Sequence, residues 1–512
     1  MHRIFSVVPP PPKFNPVREA IERANELSEK QIATTLGYFA TMPASTAIIA
    51  NPVLHQTPVD CNGTTITLEI RSFTIRGIVQ EAEIVEGKAG PLDVIFAGLF
   101  GQRPDALDES AKQELAALID EKFFGRFASE AQPTAAEESV IEQVARFVKE
   151  FPGLGPEIAM QQLAVRKKAL LSQHGAKKYG VNDERDPLSL LTEMITVHLE
   201  NVAAGTVSAY MNHILRKNPQ TSAKDLATVT RKFIEEEKAH GRSAFQVSYS
   251  LILGHHANES ECLSMERMGT IQIHHGSAGS NMVARYMATL HALSVSDLFT
   301  ACQMAMDGTR HFGAIHDMSN FVQELEPFNI ERRADRIREK MLSGGLPTFG
   351  HPEISAAGRG NHVQQDPRPA IYIDPVFRAI DAGQLTISPV QHQRLSIARQ
   401  IYLTAFVNGV LKPEREDEPP LRLTPNTDFG AWCVQEALGI EEIDRTLLTY
   451  IFRGFGWMMD AREQVQQKMI RPVVPPDPAI VPKSSDDPTI PNLVAKVHQR
   501  LIKDDPFKPT QA

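Results

Sequence analysis

Asp186-Pro187-Leu188-Ser189-Leu190-Leu191-Thr192-Glu193-Met194-Ile195-Thr196-Val197-His198-Leu199-Glu200-Asn201-Val202 reads as the opening of a long helix. Asp186 is an N-cap, and Pro187 stands at the first helical position, where a missing N–H has no partner to lose. Leu191, Met194, Ile195, Leu199 and Val202 then recur at helical spacing, which makes one face apolar. Thr221-Ser222 opens a second helix running through Lys238. Met282–Met306 is the most apolar long stretch, but Arg285, His291 and Asp297 break it, so it predicts a buried core helix rather than a membrane span. The exception follows Asn62-Gly63, where Thr64–Val79 alternates and predicts a short antiparallel hairpin or meander. Strand–helix alternation, G-x-G-x-x-G and G-x-x-x-x-G-K-[ST] are all missing, which argues against a dinucleotide-binding sheet or a phosphate loop. The predicted class is mainly α with a small N-terminal β element.

A chain of 512 residues has room for two to four domains, or for one large domain with a smaller partner. Its 53 Lys+Arg against 62 Asp+Glu give a net charge of −9. That balance argues against general nucleic-acid binding, which needs a basic surface. An anionic substrate must instead be drawn by a local cluster of Arg or Lys. Cys61, Cys262, Cys302 and Cys433 lie far apart with no C-x-x-C pair, as in reduced thiols of a cytoplasmic protein. Met1–Val8 has neither an apolar export core nor an Arg/Ser-rich amphipathic pattern, so no export signal is expected. Proline crowds both ends, at Pro9–Pro12 and from Pro472 to Pro491, which predicts extended arms.

Between the helical segments, Gly344–Pro369 is glycine-rich, contains histidine and lacks helical pattern, the kind of loop that carries active-site groups. Pro413–Pro425 is a second break, leading into a helix over Phe429–Leu438 with Gly439 as its stop. Histidine is the informative residue type. The doublets His255-His256 and His274-His275, with His311, His316 and His351, invite a metal reading. The spacing argues against it, because H-E-x-x-H is missing and His311 and His316 do not share a helical face. Glu237 and His240 would need a second such pair and two further carboxylates to hold two irons. No metal or bound cofactor is predicted.

Seven blocks then follow in order. They are His274-His275-Gly276-Ser277-Ala278-Gly279-Ser280 with Arg285 beyond it, Gly308-Thr309-Arg310-His311-Phe312-Gly313-Ala314, Phe349-Gly350-His351, and Asp366-Pro367-Arg368. Pro425-Asn426-Thr427-Asp428-Phe429, Arg453-Gly454-Phe455-Gly456-Trp457 and Ile470-Arg471-Pro472 complete the series. In that order and approximate spacing, the chain resembles the citrate synthase family, most sharply over residues 270–475.

The resemblance implies a two-domain helical homodimer that joins an acyl-CoA to a 2-oxo acid, as in oxaloacetate plus acetyl-CoA giving citrate and CoA. It implies a large domain over 63–322 that returns at 443–474, a small domain over 323–442, an extension over 1–62 and a proline-rich arm over 475–512. Asp428 matches the family's base, His311 the donor to the enolate oxygen, and His351 the group that polarises the 2-oxo carbonyl. Arg368, Arg453 and Arg471 match the carboxylate-binding arginines, with His275 as an added ligand. The last arginine comes from the other subunit in the family. These residue types suit the chemistry: a carboxylate can enolise a thioester when burial raises its proton affinity, and a guanidinium grips a carboxylate with two parallel bonds. Considered alone, Asp428 could simply cap the helix at Phe429, and Arg453 or Arg471 could be a surface ion-pair partner.

The chain departs from the family at Phe312 and Ile315-His316, where H-G-G-A-N-E is usual, and at Pro352, where arginine is common. The path from His351 to Arg368 is also longer, with Arg359 a rival inside it. The H-G-x-x-x-S form at His275 looks somewhat more like citryl-CoA lyase, which runs the same bond step backwards. Propionyl-CoA in place of acetyl-CoA, and a non-catalytic metabolite-binding relative, stay open at this stage.

Overall fold

The computed structural model describes residues 46–48, 56–58, 64–66, 69–72, 78–80, 90–100, 109–127, 139–161, 187–273, 279–289, 294–306, 313–350, 357–359, 364–365, 368–409 and 421–464. The chain divides into units over 1–469 and 470–512, and every described residue belongs to the first. The chain is built from helices: α1 Pro91–Phe100, α2 Glu109–Phe124, α3 Val140–Glu150, α4 Pro187–Lys217, α5 Ala223–Ala239, α6 Ala244–Leu253 and α7 Glu259–Gln272. There follow α8 Gly279–Thr289, α9 Val295–Met306, α10 Gly313–Leu325, α11 Ile330–Leu342, α12 Arg368–Asp381, α13 Pro389–Tyr402, α14 Thr427–Ala437 and α15 Arg445–Gln464.

Local chemistry sets most of the starts. Ser139, Ser222, Ser243, Asn258, Asn329 and Ser388 each accept a backbone N–H from three residues on, satisfying a donor that the first turn leaves without a helical partner. Helix α4 begins at Pro187 and α5 follows Ser222, both as the sequence predicts. The apolar stretch Met282–Met306 differs from expectation, because it is covered by two helices, α8 and α9, rather than one. Ser294 explains the second start: its Oγ accepts from Asp297 N at 3.1 Å while Ser294 N donates to Asp297 Oδ2 at 3.4 Å. That reciprocal cap re-nucleates the chain.

At 31 residues, α4 is roughly 46 Å long at about 1.5 Å per residue. It is buried almost all round from Leu190 to Met211, with α2, α3, α6 and α15 packed on it. Helix α15 is buried from Leu447 through Ala461. A helix hidden on every side belongs to the middle of a layered helical body. α15 nevertheless carries Thr449, Arg453 and Asp460 inside, which marks a polar interior worth explaining.

Sheet is slight. Strands β1 Thr46–Ile48, β4 Glu69–Ser72 and β5 Ile78–Gln80 pair antiparallel in the order β1-β4-β5. β2 Gln56–Pro58 pairs antiparallel with β3 Thr64–Ile66, which runs parallel to β7 Gln364–Gln365. β6 Ala357–Arg359 lies antiparallel to β8 Leu421–Leu423.

Candidate active site

Pairing between the glycine-rich loop and the segment ahead of α14 organises the first half of the site. Phe349 and Pro425 form an antiparallel bridge. Gly350 N donates to Thr424 O at 2.8 Å, and Asn426 N to Thr348 O at 2.9 Å. Thr348 adopts φ +61° while 4% exposed, a left-handed conformation that a β-branched residue holds only where surrounding contacts over-determine it. The residues just before His351 are thus tied to those just before Asp428.

Asn426 then starts α14. Its Oδ1 accepts from Asp428 N at 3.0 Å and Phe429 N at 3.4 Å, and its Nδ2 donates to Gly350 O at 3.4 Å. Asn426 is therefore the cap, and Asp428 sits one turn-position inside, in the helix's first turn. The capping role weighed for Asp428 belongs to its neighbour. A carboxylate there is also favoured by the positive end of the helix dipole.

Gly430 brings in a third segment. A Cβ at Gly430 would lie 2.3 Å from Tyr372 Cε2 and 2.9 Å from Pro369 Cα. Only glycine lets α14 approach the first turn of α12 this closely. Tyr372 is fully buried there and its hydroxyl bonds Thr427 Oγ1. Arg368, the first residue of α12, and Asp428 therefore begin neighbouring helices at the same end.

The second half gathers where α7 ends and α8 begins. Arg453, 4% exposed, donates from Nε to Gln272 O at 2.6 Å and from Nη1 to Asn281 Oδ1 at 3.2 Å. Gln272 and Asn281 stand on either side of the segment holding His275. Asn281 Nδ2 donates to Asp460 Oδ2 at 2.5 Å, and Asp460 Oδ1 pairs with Arg285 Nη2 at 2.5 Å. Helix α7 spans the two halves: it ends at Gln272 and packs on both α12 and α14.

Beside Arg453, Gly454 fits against His198 of α4, where a Cβ would fall 2.1 Å from His198 Cε1. His198 is fully buried, stacks on Phe299 at 5.5 Å and bonds Ile451 O through Nε2 at 2.8 Å. Burial pushes its pKa down to about 4, against which the bond to Ile451 O works. The imidazole is neutral and props α15 one residue from Arg453.

The link from α14 to α15 passes through a 3₁₀ turn, Glu442–Asp444. Asp444 is 1% exposed, its Oδ1 has no hydrogen-bond partner, and Arg216 Nη2 is 4.0 Å from its Oδ2. Burial pushes the Asp444 carboxyl up to about 7; Arg216 lowers it, and Glu441 and Glu157 raise it further. His316 Nδ1 meets Glu442 Oε1 of the same turn at 3.1 Å.

His275, His311, His351 and Arg471 lie outside the described residues, as do His274, Arg310 and His362. What is described are their flanks: Ile273 and Gly279, Met306 and Gly313, and Gly350. The His255-His256 doublet is taken up locally, His255 Nε2 by Glu261 Oε1 at 3.1 Å and His256 Nδ1 by Glu237 Oε1. Cys262, Cys302 and Cys433 are buried free thiols whose pKa values burial raises, Cys262 to about 11. Cys61 lies outside the described residues. A cavity of about 470 Å³ lined by Gln323, Arg394, Trp432, Glu436 and Arg445 includes none of the predicted site residues. Asn281, Asp460, Asn426 and His198 escaped sequence reading. Arg453 and Asp460 lie seven residues apart on α15, about two helical turns.

A family model described as "Citrate synthase, C-terminal domain" matches residues 60–473. The fold is similar to that of the citrate synthase of Thermoplasma acidophilum, solved as a ternary complex with carboxymethyl coenzyme A and oxaloacetate. Identity there is 16%, covering 85% of this chain and 97% of that one, at a TM-score of 0.50. It is also similar to the Pyrobaculum aerophilum citrate synthase, at 14% identity, 84% and 93% coverage and a TM-score of 0.52. No curated protein sequence matches.

Proposed function

The chain belongs to the citrate synthase family, and on that footing we propose that it condenses an acyl-CoA, acetyl-CoA or propionyl-CoA, with an oxaloacetate-like 2-oxo acid. Asp428 takes a proton from the carbon beside the thioester carbonyl, and His311 donates a hydrogen bond to the enolate oxygen that forms. The enolate carbon attacks the 2-oxo carbonyl while His351 supplies a proton to its oxygen. Water then cleaves the thioester, leaving a new carboxylate and the CoA thiol. Arg368, Arg453 and His275 hold the 2-oxo acid's carboxylates, with Arg471 reaching in from a second copy of the chain. Closure of a small domain over 323–442 against the large one would exclude water from the enolate.

The observation that carries this reading is the start of α14. Asn426 performs the capping and bonds Gly350, the residue preceding His351, while Asp428 lies in the first turn of a helix packed on the one begun by Arg368. A cleavage reaction of the citryl-CoA lyase type uses the same groups in reverse, and His275-Gly276-Ser277-Ala278-Gly279-Ser280 favours it as the second reading. Purified protein should release free thiol from acetyl-CoA or propionyl-CoA with at least one member of a 2-oxo acid panel. Asp428→Asn should reduce that rate at least a hundredfold with substrate binding retained. Folded protein that releases no thiol with any pair, and cleaves no citryl-CoA, would defeat the reading.

A further inference from the structure

The cavity of about 470 Å³ lies among α10, α13, α14 and the link into α15, and no residue assigned to the condensation lines it. The three helices pack on one another. Its floor is charged but closed. Arg445 is buried and donates from Nε to Ile440 O at 3.3 Å, from Nη1 to Ser319 Oγ at 2.7 Å and from Nη2 to Glu436 Oε2 at 2.5 Å. Glu436, also buried, accepts from Arg394 Nη1 at 3.4 Å through its other oxygen, and Arg394 Nε donates to Glu326 Oε1 at 2.7 Å. Two guanidiniums meet two carboxylates, so these charges cancel. Trp432 Nε1 is taken by Ser319 Oγ at 2.9 Å.

The unused hydrogen-bonding capacity sits at two ends. Among the described residues, Arg394 Nη2 and the side-chain amide of Gln323 have no partner. Glu326, which holds Arg394, is three residues beyond Gln323, so these donors share the C-terminal end of α10. Near the start of α10, His316 Nδ1 meets Glu442 Oε1 at 3.1 Å, and Glu441 Oε1 lies 3.7 Å from Arg216 Nε. The second oxygen of each glutamate has no partner among the described residues. From His316 to Gln323 is seven residues, or about 10 Å of helix.

A ligand has to answer both ends. A carboxylate alone would suit Arg394 but would leave Glu441 and Glu442 as two carboxylates against one guanidinium. A diamine would turn a second cation toward Arg394. An ammonium only donates and a carboxylate only accepts, so one of each at opposite ends of a short chain matches the wall. We propose that this cavity binds a small dipolar molecule, an amino acid whose ammonium stands at the far end from its carboxylate. The carboxylate meets Arg394 and Gln323, and the ammonium meets Glu441 and Glu442. The site is separate from the one proposed for condensation and does not rest on that reading.

Calorimetric titration of the full chain with ε-aminocaproate tests this, with circular dichroism recorded for every protein. Hexanoate and hexylamine each lack one charged end, and each should bind at least about tenfold more weakly, the worth of a hydrogen bond to a charged group. Glu441 and Glu442 are 53% and 41% exposed, so Glu441→Gln/Glu442→Gln should fold as wild type. It should bind ε-aminocaproate about tenfold more weakly and hexanoate as before. Gln323→Ala should weaken ε-aminocaproate and hexanoate but not hexylamine. Saturating oxaloacetate should displace none of the bound probe. Wild-type protein that gives no binding heat with ε-aminocaproate, or binds all three probes equally, would overturn the proposal. So would wild-type affinity for ε-aminocaproate in both variants, or its displacement by oxaloacetate, since either result puts the probe elsewhere.

Discussion

Asp444→Asn should stabilise this protein above pH 7 and cease to do so near pH 4. The side chain is 1% exposed, one oxygen lacks a hydrogen-bond partner, and Arg216 approaches the other only to 4.0 Å. Burial lifts its pKa from 3.8 to about 7. Since the folded value is the higher one, the folded state holds the proton more tightly. The carboxyl therefore imposes no penalty below pH 4. Between pH 4 and pH 7 stability falls by about 1.4 kcal/mol per unit, and above pH 7 the loss stays constant. About three units set a ceiling of about 4 kcal/mol. Asparagine removes the charge at similar volume, and the attraction of Arg216 is already contained in the value of about 7. A net gain of at most about 4 kcal/mol at pH 8 follows. Urea denaturation of both proteins at pH 4.5, 5.5, 6.5 and 8 reads this directly. A difference between wild type and variant that stays flat across that range would refute the argument, because the gain would then not come from titrating Asp444.

The opposite slope is expected from His198. Its folded pKa of about 4 lies below the ordinary histidine value of 6.5, so the unfolded chain binds the proton first and stability falls as pH drops from 6.5 to 4, by roughly 3 kcal/mol; His198→Gln should flatten that limb of the pH–stability curve. Asn426→Ala removes a cap and a tie to Gly350, and should lower stability by about 1–2 kcal/mol while reducing turnover more than that loss explains, measured by thiol release against urea midpoint. Gly430→Ala forces a methyl to within 2.3 Å of Tyr372 and 2.9 Å of the α12 backbone, and should destabilise by about 1–3 kcal/mol. In Gly454→Ala the clash is with the His198 ring, and the same thermal assay should show a loss of similar size.

Where helices begin and end was written locally, and the chain could be read for it. Asp186-Pro187 and Thr221-Ser222 name the starts of α4 and α5, and Gly439, with φ +69°, stands just past the end of α14. A cap acts over three residues, so its partners are on the page of the sequence itself. Reading failed where two local signals competed. The apolar run through Met306 hid the Ser294–Asp297 cap, and hydrophobicity suggested one helix where the capping chemistry makes two.

The order of seven short blocks carried the family, and the family model over 60–473 agrees with it. By itself, then, the sequence determined the helical class, the starts of α4 and α5 and the family, because those depend on neighbours within a turn or on order along the chain. Only the tertiary structure decided that Arg453 is buried rather than on the surface, that Asn426 is tied to Gly350, and that Gly430 and Gly454 are points of helix contact. It alone places Asp444 where burial pushes its carboxyl up to about 7. Each of these depends on groups far away along the chain, such as the Gln272 carbonyl 181 residues from Arg453. Burial and hydrogen-bond direction are properties of the assembled interior, and no local window of sequence contains them.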